Sequence, residues 1–172
     1  MELLDMAAAK GAIQRFFFPS LTPWLVVRIG GVAFFAYLFF GHVCIPFRIQ
    51  GSSMEPTYTD GAFNFCWRGR YLFSEPRRYD VVTVRFAGTR VMLLKRIVAL
   101  EGEQVEFRGG KLFVNEEEIE EPYVHNCRNW NLSPRYVEQG CVFVVGDNRG
   151  VAIENHSLGQ ASKQRITGGP LW

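Results

Sequence analysis

An excess of charge of either sign is what this 172-residue chain lacks most. Its 19 Lys and Arg stand against 17 Asp and Glu, a formal net of +2. Phosphate-backbone binding needs a large basic excess, so nucleic acid is not an expected partner. Cysteine and histidine are scarce, with four of one and three of the other. No Cys-x-x-Cys pair occurs, and His125, Cys127 and His156 lack the paired spacing of metal ligands, so neither a metal nor a cofactor is expected. No internal repeat and no low-complexity linker breaks the chain. Charged residues make up 21% and hydrophobic residues 48%, which excludes global disorder. The length allows one compact domain with at most a small satellite.

Aromatic residues, by contrast, are abundant at 15%, with 15 Phe crowded toward the first 50 positions. Residues 29–47 read IGGVAFFAYLFFGHVCIPF, 19 positions without a formal charge when His42 is neutral. As a helix they would span roughly 28 Å, close to a hydrocarbon core of about 30 Å. Trp24 to Val27 extend the run, Arg28 can snorkel, and Trp24 suits the interface, so residues 24–47 are expected to form one transmembrane helix. The exit HVCIPF lacks a small-x-small cleavage pattern, which predicts an anchor that is retained. Lys10, Arg15 and Arg28 precede the span and Arg48 alone follows closely. The positive-inside rule then puts residues 1–23 in the cytoplasm, with a short interfacial helix possible within 1–18. Residues 48–172 fall outside, in a single-pass inner-membrane protein.

Beyond Arg48 the texture predicts short strands and turns, with no sustained helical period. Phe63, Phe65 and Trp67 alternate with Asn64, Cys66 and Arg68, which predicts a strand with Phe63 and Phe65 in the core. Trp67, Tyr71 and Phe73, beside Arg68 and Arg70, suit lipid headgroups. Residues 80–86 and 89–100 predict a hairpin about Ala87-Gly88. Residues 105–108 and 111–114 predict a second about Gly109-Gly110, two glycines suited to a primed turn. Residues 141–145 predict a buried strand running into a turn at Gly146-Asp147-Asn148. The acidic run Glu116, Glu117, Glu118, Glu120 and Glu121 predicts a solvated loop or edge. Cys127 and Cys141 close one local loop, making them the expected disulfide pair in an oxidising compartment.

Three segments carry chemistry together that none carries alone. Gly51-Ser52-Ser53-Met54-Glu55-Pro56-Thr57 follows the anchor, Lys95 stands inside the apolar run VMLLKRIVAL, and Gly146-Asp147-Asn148-Arg149 ends the buried strand. Singly these are turn residues and an edge charge. On a strand, however, Lys95 shares its face with Val91, Leu93 and Ile97. Desolvation there favours the neutral amine, and lowering a lysine from about 10.4 to about 8 costs roughly 3 kcal/mol. A neutral lysine is a general base and calls for a nucleophile. No Ser-His-Asp set is evident, which leaves a Ser-Lys dyad.

These residues resemble the type I signal peptidase family. Ser53-Met54-Glu55-Pro56-Thr57 after an anchor resembles its nucleophile box, and the run from Lys95 to Glu103 resembles its general-base box. Tyr79-Asp80-Val81-Val82, Val114-Asn115, Glu121-Pro122-Tyr123 and the run from Phe143 to Arg149 resemble other segments, in order, over residues 22–169. The resemblance implies Ser53 as nucleophile, Lys95 as general base and the Ser53 N–H as an oxyanion donor. Ser52, Asp147, Asn148 and Arg149 are implied to support the site. It also implies a mainly β, antiparallel catalytic domain with a small β insertion at about 104–140, acting as a monomer. The implied substrates are exported preproteins whose signal peptides carry small residues at the first and third positions before the cut. The chain departs from the family at Gly51, where a hydroxyl donor is common, at Ala152, where a serine orients the base, and at Glu154-Asn155-His156, where Asp-Ser-Arg is usual. Those departures keep two alternatives open: a Ser-Lys peptidase dedicated to one pilin or conjugation substrate, and an inactive anchored β module that binds exported chains.

Overall fold

The structure, a computed structural model, describes residues 22–85 and 92–172. The interfacial helix expected within 1–18 and the Ala87-Gly88 turn lie outside those residues. The chain divides into two compact units, with the boundary between Phe39 and Phe40.

The first unit holds α1, Pro23–Leu38. Thr22 caps its N-terminus by accepting from the Leu25 N–H, and Pro23 sits where a missing N–H costs nothing. The helix continues through Phe39–Val43 in the wider π geometry. Together Pro23–Val43 make 21 residues, long and apolar enough to cross a membrane, with no α1 residue buried inside the protein. The helix stops short of the expected residue 47. Cys44–Arg48 instead form strand β1, because each of these positions pairs with β2, Phe63–Trp67.

The second unit is built from two antiparallel sheets. The remaining strands are β3 Val81–Arg85, β4 Met92–Ala99, β5 Gln104–Arg108, β6 Lys111–Val114, β7 Glu117–Ile119, β8 Leu132–Tyr136, β9 Cys141–Val145, β10 Gly159–Ser162 and β11 Ile166–Pro170. The larger sheet runs β1-β2-β11-β3-β4-β9-β10, and the smaller runs β7-β6-β5-β8. This mainly antiparallel β architecture with a small inserted sheet is the expected fold class. The β5–β6 hairpin turns at Gly109 and Gly110, both at positive φ (59° and 85°), as a primed turn requires.

Three apolar clusters hold the unit together. One joins the two sheets through Val98, Ala99, Phe143 and Val145 on one side and Val105, Phe107, Leu112 and Trp130 on the other. A second covers one face of β3, β4 and β9 with Val82, Val84, Ile97, Val142 and Val144. The third, Ile49, Met54, Val81 and Leu94, pins the turn after β1 against β3 and β4. Burying a side chain of this size contributes about 1.5–3 kcal/mol, so these clusters set the positions of the loops they anchor.

Four expectations are corrected. Strand β2 is inverted: Asn64 and Cys66 are buried, while Phe63 is exposed and Phe65 only half-buried. The cause is polar pairing, since Asn64 donates to the Trp172 carbonyl at 2.6 Å and the Cys66 thiol meets the Thr83 hydroxyl at 3.0 Å. Tyr71 does not face outward freely; its hydroxyl donates to Asp80 and its ring packs on the second cluster. All four cysteines are free, because the Cys127 thiol donates to the Gly110 carbonyl while Cys141 lies on β9. In the acidic run Glu117–Ile119 form an edge strand, but Glu121 is buried against Arg149 at 2.6 Å.

Candidate active site

Lys95 is the one buried lysine among the described residues, 3% exposed in the middle of β4 and paired with Val82 of β3. Strand alternation points it to the side of Leu93 and Ile97, as expected. A cavity of about 210 Å³ opens there, walled by Val84, Leu93, Val144 and Leu158, with Lys95 and Ser157 among its lining. Burial pushes the amine down to about 8, against a weaker upward pull from the Asp147 carboxylate. An appreciable neutral fraction is therefore present near neutral pH.

Ser53 belongs to a single 3-10 turn, Ser52–Met54, entered through Gly51 at φ 90°. L side chains rarely adopt that conformation, which suits the glycine at position 51. Met54 anchors the turn in the third cluster beside Leu94, the neighbour of Lys95. The Gly51 N–H donates to Asp60 at 2.8 Å.

The loop after β9 clamps the same turn from the other side. The Asn148 backbone N–H donates to the Ser53 carbonyl and its side-chain amide donates to the Ser52 carbonyl, both at 3.0 Å. Gly146 passes so close that a Cβ there would lie 2.1 Å from the Ser53 oxygen, so only glycine fits. Asp147 turns away and is fully enclosed. It accepts from Thr57 at 2.5 Å and from Arg96 at 2.8 and 2.6 Å in a forked pair. Adjacent residues on β4 therefore do separate jobs: Lys95 faces the cavity, and Arg96 ties β4 to the serine turn through Asp147.

Arg149 supports the site from below. It is 1% exposed, donates to the Gly146 carbonyl at 2.9 Å and pairs with Glu121 through both terminal nitrogens. Its guanidinium lies over Phe107 and Trp130, linking the smaller sheet to the loop. The structure thus gathers Ser52, Ser53, Asp147, Asn148 and Arg149 into one hydrogen-bonded assembly packed on the strand of Lys95. Ala152 precedes the 3-10 turn Ile153–Asn155 and offers no side-chain polar atom.

One residue of this assembly escaped sequence reasoning. His156 is 8% exposed, edge-on to Trp130 with ring centroids 4.9 Å apart, and it crowds Gly146, the glycine that the Ser53 carbonyl also crowds. Its position in the last motif was visible, but its burial depends on Trp130, 26 positions earlier in the sequence. Among the described residues no group of three or more His, Cys, Asp or Glu is placed to hold a metal.

Residues 22–170 match the family described as signal peptidase, peptidase S26. Thylakoidal processing peptidase 1, chloroplastic, of Arabidopsis thaliana is 33% identical over 142 residues, 76% of this chain. The chain spans only 42% of that relative's length. A signal peptidase I of Bacillus licheniformis is 29% identical over 160 residues, 87% of this chain and 86% of its own. The crystal structure of a signal peptidase I from Enterococcus faecalis V583 is 24% identical, with a TM-score of 0.46, covering 56% of this chain and 97% of that one.

Proposed function

The chain belongs to the signal peptidase family, peptidase S26, and from that membership we propose that it is a membrane-anchored serine endopeptidase that removes signal peptides from exported preproteins. The observation that carries the reading is the buried Lys95, pushed down to about 8 on the strand against which the Ser53 turn is packed. A desolvated lysine lowers stability, and a catalytic base is the use that offsets it.

In the mechanism, Lys95 Nζ takes the proton of Ser53 Oγ as Oγ attacks the scissile carbonyl carbon. The Ser53 N–H donates to the resulting oxyanion, and Ser52, exposed on the same turn, stands as the candidate second donor. Lys95 then passes its proton to the leaving amine, and the C–N bond breaks to leave an ester on Ser53. That amine is the new N-terminus of the mature protein, which departs; a water, deprotonated by Lys95 Nζ, then hydrolyses the ester and frees the signal peptide. Asp147, Asn148 and Arg149 hold the serine turn and take no proton. The cavity beside Lys95, walled on its apolar side by Val84, Leu93, Val144 and Leu158, receives the side chain before the cut, and the family resemblance implies that alanine there is cleaved and phenylalanine is not.

Pro23–Val43 serves as a single-pass anchor, with the N-terminus cytoplasmic and the β unit outside the inner membrane. The β unit carries exposed Phe63, Leu72, Phe73, Leu171 and Trp172, which suit contact with lipid. Ala152 and Glu154-Asn155-His156, which depart from the family pattern, favour a second reading: a processing peptidase dedicated to one substrate. Incubating the detergent-solubilised chain with preproteins and weighing the products tests both. Cleavage of many preproteins supports the first, cleavage of one supports the second, and cleavage of none overturns both.

A further inference from the structure

His156 is a buried polar side chain for which the mechanism above has no use. Neither ring nitrogen makes a hydrogen bond of proper geometry, although both are sealed from the surface. An imidazole in that state is costly, since a buried polar group without a partner has lost its hydration and gained nothing in exchange. Its surroundings are those of the dyad. A Cβ on Gly146 would lie 2.7 Å from Cε1 and 2.9 Å from Nε2 of His156 while lying 2.1 Å from the Ser53 carbonyl oxygen. Ring and serine turn therefore flank the same glycine. Lys95 lies on the strand that pairs with β9 up to Val145, just before Gly146, and it lines one cavity with Ser157, the residue after His156; the positive charges whose fields reach the ring are those of Lys95 on β4 and Arg149 in the loop after β9.

Lys95 has the complementary deficiency. Among the described residues its amine has no hydrogen-bond partner, and Ala152, in the loop that ends at His156, supplies none. A lysine on a flexible four-carbon stem must be aimed if it is to take a proton from a fixed hydroxyl. Given the Ser53–Lys95 dyad, we infer that His156 is the positioning residue of the base: its neutral imidazole accepts a hydrogen bond from the Lys95 amine and aims that amine at the Ser53 hydroxyl. The other ring nitrogen then carries the proton, and the backbone of Asn148 and Ser157 nearby favours that proton. Only an uncharged ring can accept, and two neighbouring cations together with burial keep the ring uncharged. His156 takes no part in bond making. It acts through Lys95.

The test uses the full chain in detergent micelles with a cleavable preprotein peptide. His156→Phe keeps an aromatic ring against Trp130 and Gly146 but removes the acceptor. Its kcat falls by about three- to tenfold, the rate equivalent of one neutral hydrogen bond, with KM unchanged. Ala152→Ser placed in the His156→Phe chain recovers most of that loss by offering the amine a hydroxyl. His156→Phe with kcat within twofold of the parent overturns the inference, and so does a loss that Ala152→Ser leaves untouched. The parent chain provides a second readout that does not depend on the folding of the Phe variant. The ring 15N shifts of His156 report one protonated and one hydrogen-bonded nitrogen at pH 8.5 or so, where about half or more of Lys95 is neutral, and the accepting nitrogen shifts in Lys95→Met. Ring shifts identical in the two chains defeat the inference. Ser53→Ala and Lys95→Ala run alongside separate the two levels. If those chains keep full activity, the dyad is wrong; if they lose it while His156→Phe does not, the dyad stands and the positioning role falls.

Discussion

Asn148 holds Ser53 by its backbone: the Asn148 N–H donates 3.0 Å to the Ser53 carbonyl, while Gly146, two residues earlier, leaves no room for a side chain beside that oxygen. The turn of Ser53, the proposed nucleophile, is thus fixed by the exit of β9, a strand that pairs directly with β4, the strand of Lys95. The turn of Ser53 and the strand of Lys95 are tied into one hydrogen-bonded frame.

Gly146→Ala is the direct probe of that frame. A methyl group would sit 2.1 Å from the Ser53 oxygen and 2.7 Å from the His156 ring, so the turn must move. A displacement of about 1 Å costs about a hundredfold in rate. Peptide cleavage by Gly146→Ala should fall by that order while circular dichroism still reports the native β signature. Retention of more than half the activity would show that the turn tolerates displacement.

Lys95→Met should abolish cleavage and stabilise the protein. The native amine sits at about 8 against an ordinary 10.5. The unfolded chain therefore binds one more proton than the native chain between those two values, and stability rises with pH across that window. Below it the native state bears a cost of about 3 kcal/mol, which Met does not bear. Urea unfolding at pH 7 should show Lys95→Met more stable by about 1–3 kcal/mol, with the gap closing above pH 10.5. A variant less stable than the parent at pH 7 contradicts the assigned cost.

His156 should set a second pH dependence, at the acid end. Burial first, then Lys95 and Arg149, push its imidazole down to about 4 from 6.5. The unfolded chain then protonates first as pH falls, so stability is full above 6.5 and drains away down to about 4, by about 3 kcal/mol in all. His156→Gln should flatten that part of the stability curve. An unchanged slope between pH 6.5 and 4 in the variant would place the titration elsewhere.

Asp147→Asn separates position from charge. The carboxylate accepts from Arg96 and Thr57 in a buried setting, and breaking such a pair costs about 3–5 kcal/mol. Asp147 also pulls the Lys95 amine upward. The variant should unfold at lower urea, and the midpoint of its kcat/KM against pH should move below the parent's, itself expected near the Lys95 value of about 8. A midpoint moved upward would mean that the carboxylate does not act on Lys95.

Much of this site was legible in the sequence, for physical reasons that can be named. A lysine flanked by Leu93 and Ile97 is written into strand alternation, and Gly109-Gly110 announces a primed turn without any tertiary information. Local pattern failed wherever a distant partner decides. Cys44–Arg48 look like the end of an apolar helix, yet they form β1 because Phe63–Trp67 lie alongside. Phe63 and Phe65 look like core, yet the buried face of β2 is Asn64 and Cys66, whose partners Trp172 and Thr83 are far away in the chain. Glu121 reads as one more surface acid until Arg149 is buried against it. His156 reads as a departure from the family pattern until Trp130 and Gly146 close around it. Each miss is a contact between distant positions, which periodicity and composition do not encode.

The central claim is that Ser53 and Lys95 together cut a preprotein. The most direct measurement is the mass spectrum of a purified preprotein after incubation with the parent chain, with Ser53→Ala and with Lys95→Ala, each in detergent at pH 8.5 or so, above the base midpoint. The parent should yield two fragments whose masses sum to the preprotein plus one water, cut after a small residue, and both variants should leave the preprotein whole. Near-normal turnover by Lys95→Ala would contradict the account.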